Sequence, residues 1–159
     1  EKPQGWWYES SLFWDRFAPQ GCGAKAWERA HRMLDPQPLP SGIYPVIIEH
    51  TVASRMVSPI LSALSGAAIY QQNSFLSESL EQALFPEQLT LRDEPWTYGA
   101  MGSRYFDSEG LATRPRAIID KGVVKTWFLN TYTAEKLGMA PTVEGVSVAR
   151  DVAKRDCGR

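Results

Sequence analysis

The most regular pattern of apolar and polar positions is a row of apolar residues repeated at every fourth position. Its members are Val52, Met56, Ile60 and Leu64. This spacing places them along one side of an α-helix. Thr51 is placed to cap that helix and Gly66 to end it, whereas Pro59 removes a backbone donor from its interior and should kink it. Because a neighbouring row is also apolar, we expect one long buried helix with a single polar stripe, formed by Ser54, Ser58 and Ser62.

Four segments have the alternation or the β-branched content that is typical of strands. They are Ile43–Ile48, Leu89–Leu91, Arg116–Asp120 and Val123–Leu129. The residues Asp120-Lys121-Gly122 between the last two indicate a tight hairpin. Pro45 favours an edge position for the first. Ala67–Tyr70 is interpreted as a further short extended piece.

Three shorter helices are predicted beside the long one. They cover Ala24–Leu34, Leu80–Leu84 and Ala134–Leu137. The last of them should be capped by Thr131 or Thr133 and end at Gly138. About four helices and five strands that do not alternate as βαβ units favour an α+β fold with an antiparallel sheet and hairpins. We expect a core portion over residues 1–142, with an aromatic-rich segment at 1–21, and a polar, loosely held tail at 143–159.

Composition narrows the class of protein without identifying a chemistry. The 159 residues are 43% hydrophobic and 22% charged, as in an ordinary soluble domain. A net charge of −1 gives no excess of positive charge with which to bind nucleic acid or an anionic membrane. No signal peptide or membrane-spanning run is visible, and without an initiator Met the chain is interpreted as an excised piece or a processed product. Cys22 and Cys157 lie outside metal-binding spacings, which favours free thiols in a reducing cytosol.

Two segments are candidates for contacts with a ligand or a partner. The segment Gly5–Gly21 is dense in Trp, Tyr and Phe, and it forms either a packing segment or an exposed binding surface. The segment Tyr98–Gly110 is rich in glycine but contains no phosphate-binding motif. The carboxylates of Asp107 and Glu109 are either functional or part of a solvated loop that hydrogen-bonds its own backbone.

Several motifs in a fixed order resemble the TldD/PmbA peptidase family. They are Pro40–Ile48, the helix ending in Ala63-Leu64-Ser65-Gly66, Ser74-Phe75-Leu76, Gly102–Gly110, Thr113-Arg114, the hairpin and Leu129–Gly138. Each motif is weak by itself, and the order of all of them is specific. The resemblance covers the central part of the family core, roughly residues 5 to 142.

The predicted helix Val52–Leu64 resembles a helix that carries the motif HExxxH in catalytic members of this family. That motif supplies two zinc ligands and a general base. Aligned with this chain, the motif falls on Val57, Ser58, Pro59, Ile60, Leu61 and Ser62. Valine has no donor atom, and neutral serine replaces neither imidazole as a ligand nor carboxylate as a base. We therefore expect no metal and no catalytic residue in this chain, with Val57, Ser58 and Ser62 as degenerate motif positions.

Other potential metal ligands do not replace the missing pair. Glu49 and His50 are adjacent, and adjacent residues in a strand point to opposite faces. Cys157-Gly158 follows the last predicted helix too closely to match the late cysteine-glycine of the catalytic branch.

The resemblance implies the PmbA (TldE) branch, which lacks HExxxH and pairs with a zinc-containing TldD-type subunit. It implies a cytoplasmic heterodimer that processes peptides held as extended strands, in a family also known as modulators of DNA gyrase. Zinc is expected only in the partner, and neither nucleic acid nor a membrane is an expected partner. The candidate peptide-binding residues are Gly102, Ser103, Asp107, Glu109 and Gly110.

Two other functional hypotheses stay open beside this one. A stand-alone binding or scaffold protein, with a homo-oligomer as one form, would use the aromatic segment and the glycine-rich loop. A serine hydrolase would need a nucleophile with a base, but the chain has no GxSxG elbow. Neither His31 nor His50 is arranged with a serine in the sequence.

Overall fold

The computed structural model describes residues 2–142 of the chain. It divides into two compact units, one up to Ile47 and the other from Ile48 onward. The predicted polar tail at 143–159 lies outside the described residues. Within residues 2–142, no helix combines the length and the apolar character needed to cross a lipid bilayer.

The first unit is built around helix α1, Cys22–His31, with a short 3-10 helix at Trp14–Arg16 before it. The Trp7 ring lies against the cations of α1, with Lys25 Nζ at 4.7 Å and Arg29 Cζ at 5.3 Å from the ring centroid. The predicted strand Ile43–Ile48 is wrong, because the segment has no strand pairing in the described residues. Its apolar side chains are exposed, and Ile47 is 99% exposed.

The second unit begins with helix α2, His50–Ala63, where the hydrophobic pattern predicts a long helix. Its N-cap is Glu49 rather than Thr51, and it ends before Gly66. The expected burial is only partly realised, because Leu61 and Ala63 are buried while Met56 is 60% exposed. Only the last turns of α2 have a hydrophobic core to pack against within the described chain.

Gly66 starts the next helix instead of ending α2. Helix α3 spans Gly66–Tyr70, so the extended piece predicted there is wrong. The Ser65 side chain accepts a hydrogen bond from the backbone nitrogen of Ala68 at 3.3 Å and caps the new helix. The short apolar run itself fits either a helix or a strand. The hydrogen bond from the Ala68 amide to the Ser65 side chain favours the helix.

A three-stranded antiparallel sheet forms the centre of the second unit, in the order β1-β2-β3. Its strands are β1, Leu91–Asp93, β2, Arg116–Asp120, and β3, Val123–Val124. The predicted hairpin is confirmed: Lys121 and Gly122 both have positive φ, at 47° and 82°, as a tight primed turn requires. The α+β fold class with an antiparallel sheet is therefore confirmed, although β3 is much shorter than the predicted Val123–Leu129.

The helix predicted at Leu80–Leu84 is wrong, because this segment pairs with β3 instead. Glu81 N donates to Val124 O at 2.8 Å, and Val124 N donates to Gln82 O at 3.1 Å. These hydrogen bonds cover the backbone groups of a strand edge, which a short helix would leave unpaired. Tertiary pairing thus outweighs the local capping signal.

Helix α4, Thr131–Lys136, follows the sheet. Its cap is Asn130, whose side chain accepts from Thr133 N at 2.8 Å, rather than Thr131 or Thr133. One hydrophobic core joins the last turn of α2, the sheet and the segment before α4. Its buried members are Leu61, Ala63, Leu64, Leu76, Ile118, Ile119, Val124 and Phe128.

Candidate functional site

The three degenerate motif positions, Val57, Ser58 and Ser62, lie in the second half of α2. Val57 is partly buried and packs against the hydrophobic core. Ser58 is exposed and donates its hydroxyl to Ser54 O at 2.7 Å, and Ser62 is exposed as well. Valine has no donor atom, and a neutral serine hydroxyl is a poor zinc ligand. The residues present therefore do not fit zinc in their donor chemistry.

The other sequence candidates for metal ligands are also scattered. His50 is the exposed first residue of α2, and the His31 ring stacks on Trp27 with the centroids 5.0 Å apart. Among residues 2–142, no three His, Cys, Asp or Glu side chains form a group that could hold a metal ion. Cys157 lies outside the described residues.

The acidic residues of the candidate peptide-binding segment are engaged within the protein. Asp107 is buried, and its Oδ1 accepts from Glu109 N at 2.9 Å and from Leu111 N at 2.8 Å. Both Glu109 oxygens accept from Thr131, Oε2 from its backbone nitrogen at 2.9 Å and Oε1 from its Oγ1 at 2.8 Å. These carboxylates hold the loop in shape and join it to α4.

Hydrogen bonds shape the part of the loop around Ser103. The Ser103 hydroxyl donates to Thr97 O, and Arg104 N donates to Pro95 O at 2.8 Å. Gly102 and Gly110 are exposed, and Gly110 has a φ of 80°, which favours glycine. The fixed backbone presents large side chains to solvent, namely Tyr98, Met101, Tyr105 and Phe106, all more than half exposed.

A buried ion pair beside this loop was not found by sequence reasoning. Arg116 Nε lies 3.4 Å from Asp93 Oδ2, with 15% and 6% of the two side chains exposed. Burial raises the pKa of the Asp93 carboxyl above its usual value of 3.8, against the opposing charges of Arg116 and Arg104. The only sequence signal was a charged residue at the end of a strand, which does not reveal a partner in another strand.

The chain is similar to several known proteins. Residues 41–154 match the family model described as the PmbA/TldA metallopeptidase C-terminal domain. The metalloprotease PmbA of Escherichia coli O157:H7 is 34% identical over 128 residues, which are 80% of this chain and 28% of that protein. The chain thus spans less than a third of the length of this curated relative.

Solved structures show the same fold. A Bacteroides thetaiotaomicron protein, described as a candidate modulator of DNA gyrase, aligns with a TM-score of 0.85 and 46% identity over 89% of this chain and 32% of its own. TldE of Thermococcus kodakarensis aligns with a TM-score of 0.53 and 25% identity over 63% of this chain and 23% of its own. The family model covers well over half of the chain, so the chain belongs to the PmbA/TldD metallopeptidase family.

Proposed function

We propose that this chain is part of a non-catalytic subunit of a PmbA/TldD-type metalloprotease, and that it helps to bind and process peptides. The observation that carries the proposal is the identity of the side chains on α2. The positions that align with the zinc-binding motif hold Val57, Ser58 and Ser62. Hydrolysis at a zinc site needs ligands that converge on one ion and a base beside the bound water. Family membership supports the peptidase context, and the side chains of α2 support the non-catalytic role.

Peptide binding in this proposal uses backbone pairing and the surface of the loop. Strand β1 is at one edge of the described sheet, and an extended peptide can add to a sheet edge through main-chain hydrogen bonds. The loop that follows β1 presents Tyr98 and Tyr105 to solvent, at 82% and 78% exposure. Aromatic side chains of this kind supply contact area at a low cost in conformational entropy.

The proposal assigns the missing chemistry to a partner. A subunit that carries HExxxH would hold zinc and its water, while this chain would contribute shape and backbone donors to the shared peptide path. We place this assembly in the cytoplasm, in accordance with the free thiols expected from the sequence. Its substrates would be peptides that are unfolded enough to extend along a strand edge.

Co-expression of the intact protein with a TldD-type subunit tests the proposal. The two should co-purify, zinc should be found in proportion to the TldD-type subunit alone, and peptide cleavage should need both. The matched control replaces the glutamate of the partner's HExxxH by glutamine, which should keep the complex and abolish cleavage. Cleavage by the isolated protein with one zinc per chain would refute the non-catalytic role. Failure to associate under any condition would favour the stand-alone binding protein.

A further inference from the structure

A short irregular ribbon joins the two sides of the candidate peptide-binding loop. Phe106 and Ala112 form an antiparallel bridge. In the same register, Thr113 N donates to Tyr105 O at 2.9 Å and Asp107 N donates to Leu111 O at 3.0 Å. Continued by one residue, this register places Arg104 opposite Arg114. Extended in this way, the register brings two arginine positions across from each other beside the loop.

The alternation of side chains along the ribbon selects which residues share a face. Arg104 and Phe106 are two positions apart on one side, and Ala112 and Arg114 are two positions apart on the other, so all four fall on one face. Phe106 is 66% exposed, and Arg114 is also exposed. This face combines a guanidinium pair with an exposed aromatic ring.

Like charges directly opposite each other destabilise a β-ribbon, so this pair calls for a nearby anion. The acidic residues closest in sequence are already engaged by other groups. Asp93 pairs with Arg116, and Glu94 Oε1 lies 2.7 Å from Arg92 Nε. The carboxylates of Asp107 and Glu109 accept hydrogen bonds from neutral backbone and hydroxyl donors.

Neither Arg104 nor Arg114 forms an ion pair with an acidic residue of the described chain. Arg104 Nε is buried and makes no hydrogen bond to the residues that the structure describes. Burial lowers the pKa of the Arg116 guanidinium, Asp93 opposes that change, and the charges of Arg114 and Arg104 lower it further. Arg104 and Arg114 thus both lie within electrostatic range of Arg116, and Arg104 also lies within range of the buried Asp93 carboxylate.

We propose that Arg104 and Arg114 bind a carboxylate of the peptide, while the Phe106 ring contacts an adjacent apolar side chain. This inference rests on the proposed function, and it adds to the same loop a preference for peptides that carry a carboxylate. The guanidinium group is planar and can hold a carboxylate through two parallel hydrogen bonds, which a neutral amide cannot replace. The carboxylate is either the C-terminus of the peptide or an Asp or Glu side chain.

Peptide affinity measured on the intact protein tests this preference. The probes are fluorescein-labelled unfolded peptides of one sequence that ends in leucine, with a free C-terminal acid or with a C-terminal amide. A third probe has the amide end and glutamate before the leucine, and a fourth has glutamine there. We expect at least one acid probe to bind about tenfold more tightly than its amide counterpart. A difference in affinity within the first pair indicates recognition of a terminal carboxylate. A difference within the second pair indicates recognition of a side-chain carboxylate.

Substitutions then locate the preference on the protein. R104Q, R114Q and the double variant should bind acid and amide probes with the same affinity. R55Q is the matched control, because it removes an exposed arginine of α2 that lies outside the ribbon. R104K and R114K keep the charge without the planar fork and should retain only part of the preference. Circular dichroism verifies that each variant is folded.

The outcomes separate this inference from the proposed function. If unsubstituted protein binds acid and amide probes equally, the carboxylate preference is refuted while peptide binding stands. If the preference persists in the folded double variant, its assignment to this arginine pair is refuted. If no probe binds although the protein still associates with its TldD-type partner, both the preference and the peptide-binding role are refuted. The comparison of probes on unsubstituted protein decides the preference even if the double variant does not fold.

Discussion

The carboxylate of Glu109 accepts two hydrogen bonds from Thr131, one from the backbone nitrogen at 2.9 Å and one from Oγ1 at 2.8 Å. Thr131 is the first residue of α4, so its amide has no partner within the helix. An acidic side chain at this end also interacts favourably with the helix dipole. The loop is thereby joined to α4 through two residues, Glu109 and Thr131, that are 22 positions apart in the sequence.

Removing this carboxylate should destabilise the protein. We expect E109Q to lower the free energy of unfolding by roughly 1 kcal/mol, because the neutral amide oxygen is a weaker acceptor and cannot engage both donors. Urea denaturation of the intact protein measures the change. E135Q is the matched control, since this exposed residue is near the other end of the same helix. Equal effects of the two substitutions would contradict the anchoring role of Glu109.

The Asp93–Arg116 pair should produce a pH dependence of stability in the acidic range. Burial raises the pKa of Asp93 above 3.8, so the folded protein takes up this proton before the unfolded chain does. The stabilisation that comes from protonating Asp93 is therefore complete below pH 3.8, and it is lost as the pH rises through the pKa of Asp93 in the folded protein. Relative to D93N, the unsubstituted protein should gain free energy of unfolding as the pH falls from neutral. A relative loss on acidification would show that Arg116 outweighs burial.

Gly66 should tolerate no larger side chain. A Cβ there would lie 2.4 Å from Thr133 Oγ1 and 2.9 Å from the backbone oxygen of Phe128. We expect G66A to lower the free energy of unfolding by about 1–3 kcal/mol, because overpacking forces the neighbouring backbone to move. G23A is the contrasting substitution, since nothing lies within 4 Å of its added methyl group in α1. Thermal denaturation of the intact protein measures both changes, and G23A should be neutral or slightly stabilising.

Restoring the motif residues on α2 should not by itself restore a zinc site. V57H with S58E and S62H supplies two histidine ligands and a base, but a catalytic zinc site uses three protein ligands, and Pro59 interrupts the helix between the two histidines. Val57 also packs against the core, so its replacement should lower stability by about 1–3 kcal/mol. Metal analysis after dialysis should find no stoichiometric zinc. S62H alone is the control and should leave stability unchanged, because Ser62 is exposed. One tightly bound zinc per triple variant would contradict this account.

Local signals predicted the parts of the fold that depend on neighbouring residues. The hairpin at Lys121-Gly122 and the position of α2 were predicted correctly, because turn chemistry and helical periodicity act over a few residues. Leu80–Leu84 was predicted incorrectly because its backbone pairs with β3, far along the chain. The strand-like run at Ile43–Ile48 had the right composition but no pairing partner in the described chain.

The sequence by itself determined the family, through the order of its motifs, and the absence of imidazole and carboxylate side chains at Val57, Ser58 and Ser62. Both follow from the identity of side chains, which needs no coordinates. Only the tertiary structure decided that Glu109 binds Thr131, that Asp93 is buried beside Arg116, and that Phe106 pairs with Ala112. These relationships depend on strand register and on burial, because a charge acquires its partner and loses its water only when distant segments pack together.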